Sequence, residues 1–194
     1  MTINHGRTRD EPQKEGRKSM HWRLLEHWVK QCGWTAGAEI GLQRGWTICH
    51  LLKTCSGLSM IGVDQWIEIP DTGEPGWDSY DHIDIDYWAA VVKGRVAAFD
   101  GRGRILHMAS LEAAKLVEDG SLDFVFIDAD HTERGAGADI LAWAPKVRST
   151  GYVCGHDWNL ELVAKVLDRY LPGWEPHKHL CWRIPKASVP EGMG

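Results

Sequence analysis

Gly37-Ala38-Glu39-Ile40-Gly41-Leu42-Gln43-Arg44-Gly45, followed by an amphipathic run and then Met60-Ile61-Gly62-Val63-Asp64, decides the fold class. It reads as a strand, a tight glycine turn, a helix, a second strand and a carboxylate at that strand's end. Gly41 and Gly45 let the backbone approach a ligand at a helix N-terminus. Asp64 stands where a carboxylate can accept hydrogen bonds from a ribose diol. This is half of a nucleotide-type site.

The spacing argues against a dinucleotide. Nicotinamide and flavin enzymes carry G-x-G-x-x-G with the pyrophosphate on the helix dipole. Here the pattern is Glu-x-Gly-x-x-x-Gly, with Glu39 inside the turn. A carboxylate repels a pyrophosphate and attracts a cation. Glu39-Ile40-Gly41 with Gly45 resembles the first motif of the class I S-adenosylmethionine methyltransferases, whose ligand carries an ammonium and a sulfonium. The resemblance implies S-adenosylmethionine as cofactor, with Glu39, Gly41, Gly45 and Asp64 among the residues that bind it.

The chain has 194 residues, enough for one α/β domain and too few for two of ordinary size. No apolar run approaches a membrane span, and the N-terminus carries no signal-peptide core, so no membrane association is expected. Five cysteines, Cys32, Cys49, Cys55, Cys154 and Cys181, form no C-x-x-C pair and read as reduced thiols of a cytoplasmic protein. A net charge of −5 disfavours nucleic acid as a partner. Residues 1–19 are polar and read as a flexible tail, 20–186 as the folded domain and 187–194 as a second tail. A homodimer stays open.

Apolar residues at helical spacing (Trp22, Leu24, Leu25, Trp28, Val29) predict a helix ending near Gly33. Strands are expected at 37–40, 59–63, 104–108, 122–127 and 151–155. Helices are expected at 47–54, 84–93, 111–118, 138–146 and 159–170, the last with Asn159 as N-cap. Leu122 to Ile127 is a nearly continuous apolar run, hence a central buried strand. Residues 179–184 read as an antiparallel edge strand. Alternating strands and helices mean an α/β, doubly wound sheet with helices on both faces.

In such sheets ligands gather outside the carboxyl ends of the strands. Polar residues collect there: Glu39 and Gly41, Asp64, Ala109-Ser110, Asp128-Ala129-Asp130-His131, and His156-Asp157-Trp158. Adjacent strands lie about 5 Å apart, so Asp128 and Asp157 can share one hard divalent cation. Two carboxylates and waters suit Mg²⁺, and His156 leaves room for Mn²⁺ or another transition ion.

Leu122 to Trp158, taken with Glu39 to Gly45 and Asp64, is similar to the metal-dependent O-methyltransferases, of the catechol type and of the type acting on macrolide sugars. The resemblance covers roughly residues 21 to 170 and implies a single Rossmann-like methyltransferase domain. It implies Asp128 and Asp157 as ligands of Mg²⁺, His131 where the general base stands, and Ala109-Ser110 as the turn that contacts adenine. The small-molecule substrate would then offer a hydroxyl. Trp158 occupies the position of a further ligand in the catechol type, which leaves the third ligand open. Histidine in place of the usual lysine is chemically reasonable, since its ordinary pKa near 6.5 suits a base at neutral pH.

Residues 64–92 carry eight acids, no lysine or arginine, and Trp66, Trp77, Tyr80, Tyr87 and Trp88. This pattern is expected to form a lid over the acceptor. Two other readings stand beside a methyltransferase. Asp128-Ala129-Asp130 is a D-x-D, as in metal-dependent sugar-nucleotide glycosyltransferases. A non-catalytic binder of S-adenosylmethionine with the same fold is the other. Methylation of nucleic acid is disfavoured, because no Asn/Asp-Pro-Pro-aromatic motif is present.

Overall fold

A computed structural model describes residues 20–67 and 84–190. Five parallel strands form the body of the sheet: β1 (Ala36–Ile40), β2 (Ser59–Asp64), β3 (Gly103–His107), β4 (Leu122–Ile127) and β5 (Val147–Gly155). Their spatial order is β3-β2-β1-β4-β5, and β7 (Trp182–Pro185) then pairs antiparallel with β5. The two-residue β6 (Glu175–Pro176) adds outside β7, so the expected return strand lies one position in from the edge. The strand order reverses between β1 and β4, which is where such folds open a crevice for a ligand.

Beyond a register shift between Leu122 and Phe124, period-two alternation sends β4 into both faces of the core. Phe124 and Phe126 pack with α1 (His21–Cys32), α2 (Trp46–Thr54) and α3 (Ile85–Ala97). Leu122, Val125 and Ile127 pack with α4 (Ser110–Ala114), α5 (Glu133–Trp143) and α6 (Glu161–Tyr170). All six β4 residues are buried, as a strand covered on both faces requires.

Asp123 is the one acid inside β4. Its Oδ2 accepts from the backbone amides of Thr35 (2.7 Å) and Ala36 (2.9 Å), and Arg148 lies 3.1 Å from its Oδ1. It thereby satisfies donors at the start of β1 that the ladder leaves free. Asp123→Ala orphans two amides beneath the sheet and is expected to cost about 2–4 kcal/mol, read as a lower urea midpoint at constant slope. An unchanged midpoint would show that water replaces the carboxylate.

Several element boundaries differ from the sequence expectation. The helix expected over 138–146 begins at Glu133, because Thr132 accepts the Gly135 amide at 3.0 Å and starts it across two glycines that lower helix propensity. The helix expected over 159–170 begins at Glu161 with Leu160 at the cap position and no side-chain cap bond, so Asn159 is not its N-cap. The helix expected over 111–118 is the shorter α4, which begins at Ser110 and stops at Ala114. β5 starts at Val147, four residues early, beyond a register shift opposite β4. The helix expected over 84–93 runs from Ile85 to Ala97, with Asp84 as its N-cap accepting from the Tyr87 amide at 2.9 Å. Of the expected lid, residues 68–83, with Trp77 and Tyr80, lie outside the described residues.

Candidate active site

A cavity of about 580 Å³ opens at the carboxyl ends of the parallel strands. Glu39, Gly41, Asp64, Ser110, Asp128, His131, His156 and Asp157 all line it, so the sheet brings together nearly every residue that the sequence singles out. Gly45 is the exception. It starts α2 at φ +66, and a Cβ there would meet the Val92 side chain at 2.8 Å. Its positive φ and the closeness of α3 both favour glycine there.

Gly41 closes the β1 turn at φ +88, and a Cβ on it would sit 2.0 Å from the Asp128 carbonyl oxygen. The turn is tied to its neighbours: the Gly41 amide donates to Val63 O (2.9 Å), and the Asp128 amide to Ile40 O (2.8 Å). Asp64 pins the same turn. Its Oδ2 accepts from the amides of Leu42 and Gln43, each at 2.8 Å, and its Oδ1 from Trp66 N at 2.8 Å. A carboxylate has about four lone-pair sites, so one on Oδ1 stays open to the cavity.

Glu39 is 3% exposed. Burial, then the charge of Asp128, pushes its carboxyl well above the usual carboxylate range, against donation from the Thr47 hydroxyl and the Ile48 amide. Its Oε2 has no hydrogen-bond partner. A buried acceptor left unpaired is costly, and a cationic group at this position removes the cost.

At the ends of β4 and β5, ligand atoms of Asp128, His131 and Asp157 all lie within 4.8 Å of one another. His131 Nε2 is 3.2 Å from Asp157 Oδ2 and 3.7 Å from Asp128 Oδ1. Burial pulls the His131 pKa down, but the two carboxylates outweigh it and push it up to about 10. His131 is therefore an imidazolium at neutral pH while the carboxylates face it alone. His156 Nδ1 sits 3.1 Å from Asp157 Oδ1, and burial is again overcome by carboxylates, which raise its pKa. The Asp157 carboxyl, opposed by burial, is driven far down by the two histidines. Asp157 itself takes φ 58, a left-handed conformation that only a few non-glycine residues adopt.

Two carboxylates and an imidazole, half-buried at one wall, fit a hard divalent cation with room for waters. Among the described residues His131, expected from the resemblance as the base, belongs to this group of potential ligands, whereas His156, expected as a ligand, does not, although its Nδ1 lies 3.1 Å from Asp157 Oδ1. Trp158 turns away: its Nε1 donates to the His177 carbonyl at 3.3 Å, and its ring packs near Trp174. Asp130 borders the cavity, but its Oδ1 accepts from the Thr132 amide at 2.8 Å. Its carboxylate fills the space where a Gly135 Cβ would be, so it serves the start of α5 rather than the Asp128 cluster.

Ser110 uses its hydroxyl internally, donating to Asp139 Oδ1 (2.5 Å) and accepting from Trp143 Nε1 (2.8 Å). Sequence reasoning missed Asp139, although an acid on the buried stripe with Ala136, Ile140 and Trp143 is a signal. It also missed His21 and Arg44 in the cavity wall. His21 contacts Thr47 Oγ1 at 2.9 Å, and burial lowers its pKa to about 4.

A sequence profile of the family described as "Methyltransferase domain" matches residues 38–158, more than half of the chain. The chain belongs to the methyltransferase-domain family. The matched span runs from β1 to the turn after β5 and contains the whole of the Asp128 cluster. Among curated proteins none matches by sequence. Solved structures share the fold at low identity. A Staphylococcus aureus protein assigned as a caffeoyl-CoA O-methyltransferase aligns at TM-score 0.60 and 15% identity, over 86% of this chain and 83% of its own. The O-methyltransferase from Bacillus cereus, in complex with SAH (S-adenosylhomocysteine), aligns at 0.57 and 12%, over 85% and 80%. The cofactor-bound Rv0187 from MTB aligns at 0.61 and 12%, over 92% and 83%. These likenesses establish the Rossmann-like methyltransferase fold, with its antiparallel edge, for this domain. Among the described residues no helix is long and apolar enough to cross a membrane.

Proposed function

We propose that this methyltransferase-domain protein transfers the methyl group of S-adenosylmethionine to a hydroxyl of a small molecule, with a divalent cation at Asp128 and Asp157. The observation that carries the reading is the shared cavity. It joins the unpartnered, buried Oε2 of Glu39 to the Asp128–His131–Asp157 cluster. A ligand with an ammonium at one point and a reactive centre a few ångströms away suits that pair of features.

Each group then has a physical role. Glu39 takes the ammonium, whose charge returns the carboxyl to its ionised form. Asp64 offers its remaining lone pair to a ribose hydroxyl. Asp128 and Asp157 would hold Mg²⁺, or Mn²⁺ if an imidazole joins, and the cation supplies Lewis acidity and orientation to the acceptor hydroxyl. S-adenosylmethionine supplies the methyl group itself. His131 holds a proton while the carboxylates are bare. With their charge neutralised, its pKa falls, and the neutral imidazole can accept the hydroxyl proton. The protein's main contribution would be to position the acceptor against the methyl donor within the cavity.

The D-x-D reading is not favoured, since Asp130 is committed to α5. A sugar diphosphate would also meet Asp64 as a repelling acid and would offer Glu39 no cation.

Calorimetric titration with SAH, with and without Mg²⁺, tests the proposal. Micromolar binding is expected, weakened about ten- to a hundredfold by Glu39→Gln as a charged hydrogen bond is lost. Binding of UDP-sugars but not SAH would overturn it. An acceptor screen that never yields a methylated product despite tight SAH binding would leave a binder of the same fold.

A further inference from the structure

Acids dominate the wall of the cavity, and Arg44 is the one arginine or lysine among its described lining residues. It stands in the turn between β1 and α2. No acid among the described residues pairs with it, and its Nε is buried without a hydrogen-bond partner.

What holds Arg44 is aromatic. Its guanidinium carbon lies 5.3 Å from the centre of the Trp88 ring, on α3. Arg95 stacks on the same ring at 5.7 Å and on Trp46 at 5.5 Å. Stacking fixes the plane of a guanidinium and leaves its N–H edges able to donate to a flat oxyanion. Trp46 and Ile67, both exposed, line the same cavity and offer apolar surface beside its opening. The wall thus carries a pre-oriented cationic fork with no internal anion to satisfy it.

We propose that Arg44 is a specificity residue that reads a carboxylate on the acceptor, which makes the substrate a hydroxylated carboxylic acid. The inference rests on the methyl-transfer reading above and adds what the acceptor carries besides its hydroxyl. A carboxylate suits the site better than a phosphate dianion, whose doubled charge would meet the acids of the wall with twice the repulsion. The cofactor brings a carboxylate of its own, beside its ammonium. Glu39, which would take that ammonium, is buried against Thr47 and Ile48, whereas Arg44 is drawn onto α3 and makes no ion pair with Glu39.

Calorimetry on the protein saturated with SAH and Mg²⁺ tests the assignment with two matched pairs, protocatechuate against its amide and glucuronate against glucose. In at least one pair the acid is expected to bind about tenfold more tightly than its neutral partner. Arg44→Gln should bring that pair within about threefold, and Arg44→Lys, which keeps the charge but loses the fork, should fall between. If Arg44→Gln instead weakens SAH about tenfold and leaves decarboxylated SAH unaffected, Arg44 holds the cofactor's carboxylate and the assignment to the acceptor falls. Acids that bind no better than their neutral partners overturn it too, as does an acid preference that survives Arg44→Gln, or silence from all four compounds. A wild-type protein that does not bind SAH overturns the methyl-transfer reading itself.

Discussion

Asp128→Asn is expected to remove most divalent-cation binding and, with it, methyl transfer. The substitution keeps the shape and deletes one of two anionic ligands. At an effective dielectric near 20 a charge pair at about 4 Å is worth about 4 kcal/mol. Asp128 is partly exposed, its side chain at 22%, so solvent screening brings this to about 3 kcal/mol, or roughly a hundredfold in affinity. The same change has a second, independent readout. Asp128 is one of the two groups that outweigh burial and hold His131 near 10, so the imidazole of the variant should titrate lower. In the wild-type protein a bound cation would compete with the His131 proton for the same carboxylates. Mg²⁺ affinity should therefore fall as pH drops below about 10 and His131 becomes protonated, with up to about one proton released per cation bound at neutral pH. Calorimetry in two buffers of different ionisation enthalpy measures that release. Cation binding in Asp128→Asn equal to wild type, with no proton release in either protein, would remove the metal from the proposal.

What the sequence shows of this site follows from how local each signal is. The strand β4 is legible to the residue, because an apolar run of that length, broken only by Asp123, fits a strand covered on both faces. The gathering of Glu39, Asp64, Asp128 and Asp157 at one edge follows from chain alternation alone. The direction of each side chain after a strand ends is less legible. Asp128 and Asp130 look equivalent in D-x-D, yet one turns into the cavity and the other folds onto Thr132, a choice made by turn geometry. Asp64 and Ser110 line the cavity as expected, but their hydrogen bonds go largely to the protein, through partners distant in sequence. His21 reaches the site because α1 packs across the sheet, a tertiary placement with no local mark. The glycines that hide the start of α5 carry a compensating reason that only the structure supplies: Gly135 makes room for the Asp130 carboxylate.

The glycines also give a graded test of the turn on which the site is built. Gly33, Gly45 and Gly41 all have positive φ, at 67, 66 and 88°, so alanine pays a similar backbone cost of about 1–2 kcal/mol at each. They differ in what a Cβ would meet. At Gly33 there is nothing within 4 Å, so the backbone cost is all of it. At Gly45 the obstacle is the Val92 side chain at 2.8 Å, which can shift within the α3 interface. At Gly41 it is the main chain of Asp128 and Ala129, at 2.0 to 2.8 Å, held by the amide of Asp128 on Ile40 O. Backbone in a parallel ladder cannot give way without parting the ends of β1 and β4. Gly41→Ala is expected to cost about 3–5 kcal/mol, and at about 2–4 °C per kcal/mol to lower the melting temperature by roughly 10 °C or more. Gly33→Ala should stay within a few degrees of wild type, with Gly45→Ala between. Because the displaced segment carries Asp128, Gly41→Ala should also weaken Mg²⁺ binding well below its own melting point, which neither of the other variants should do. Equal melting temperatures for Gly41→Ala and Gly33→Ala would mean that the two strand ends part freely. The rigid junction between β1 and β4 would then not be what positions Asp128.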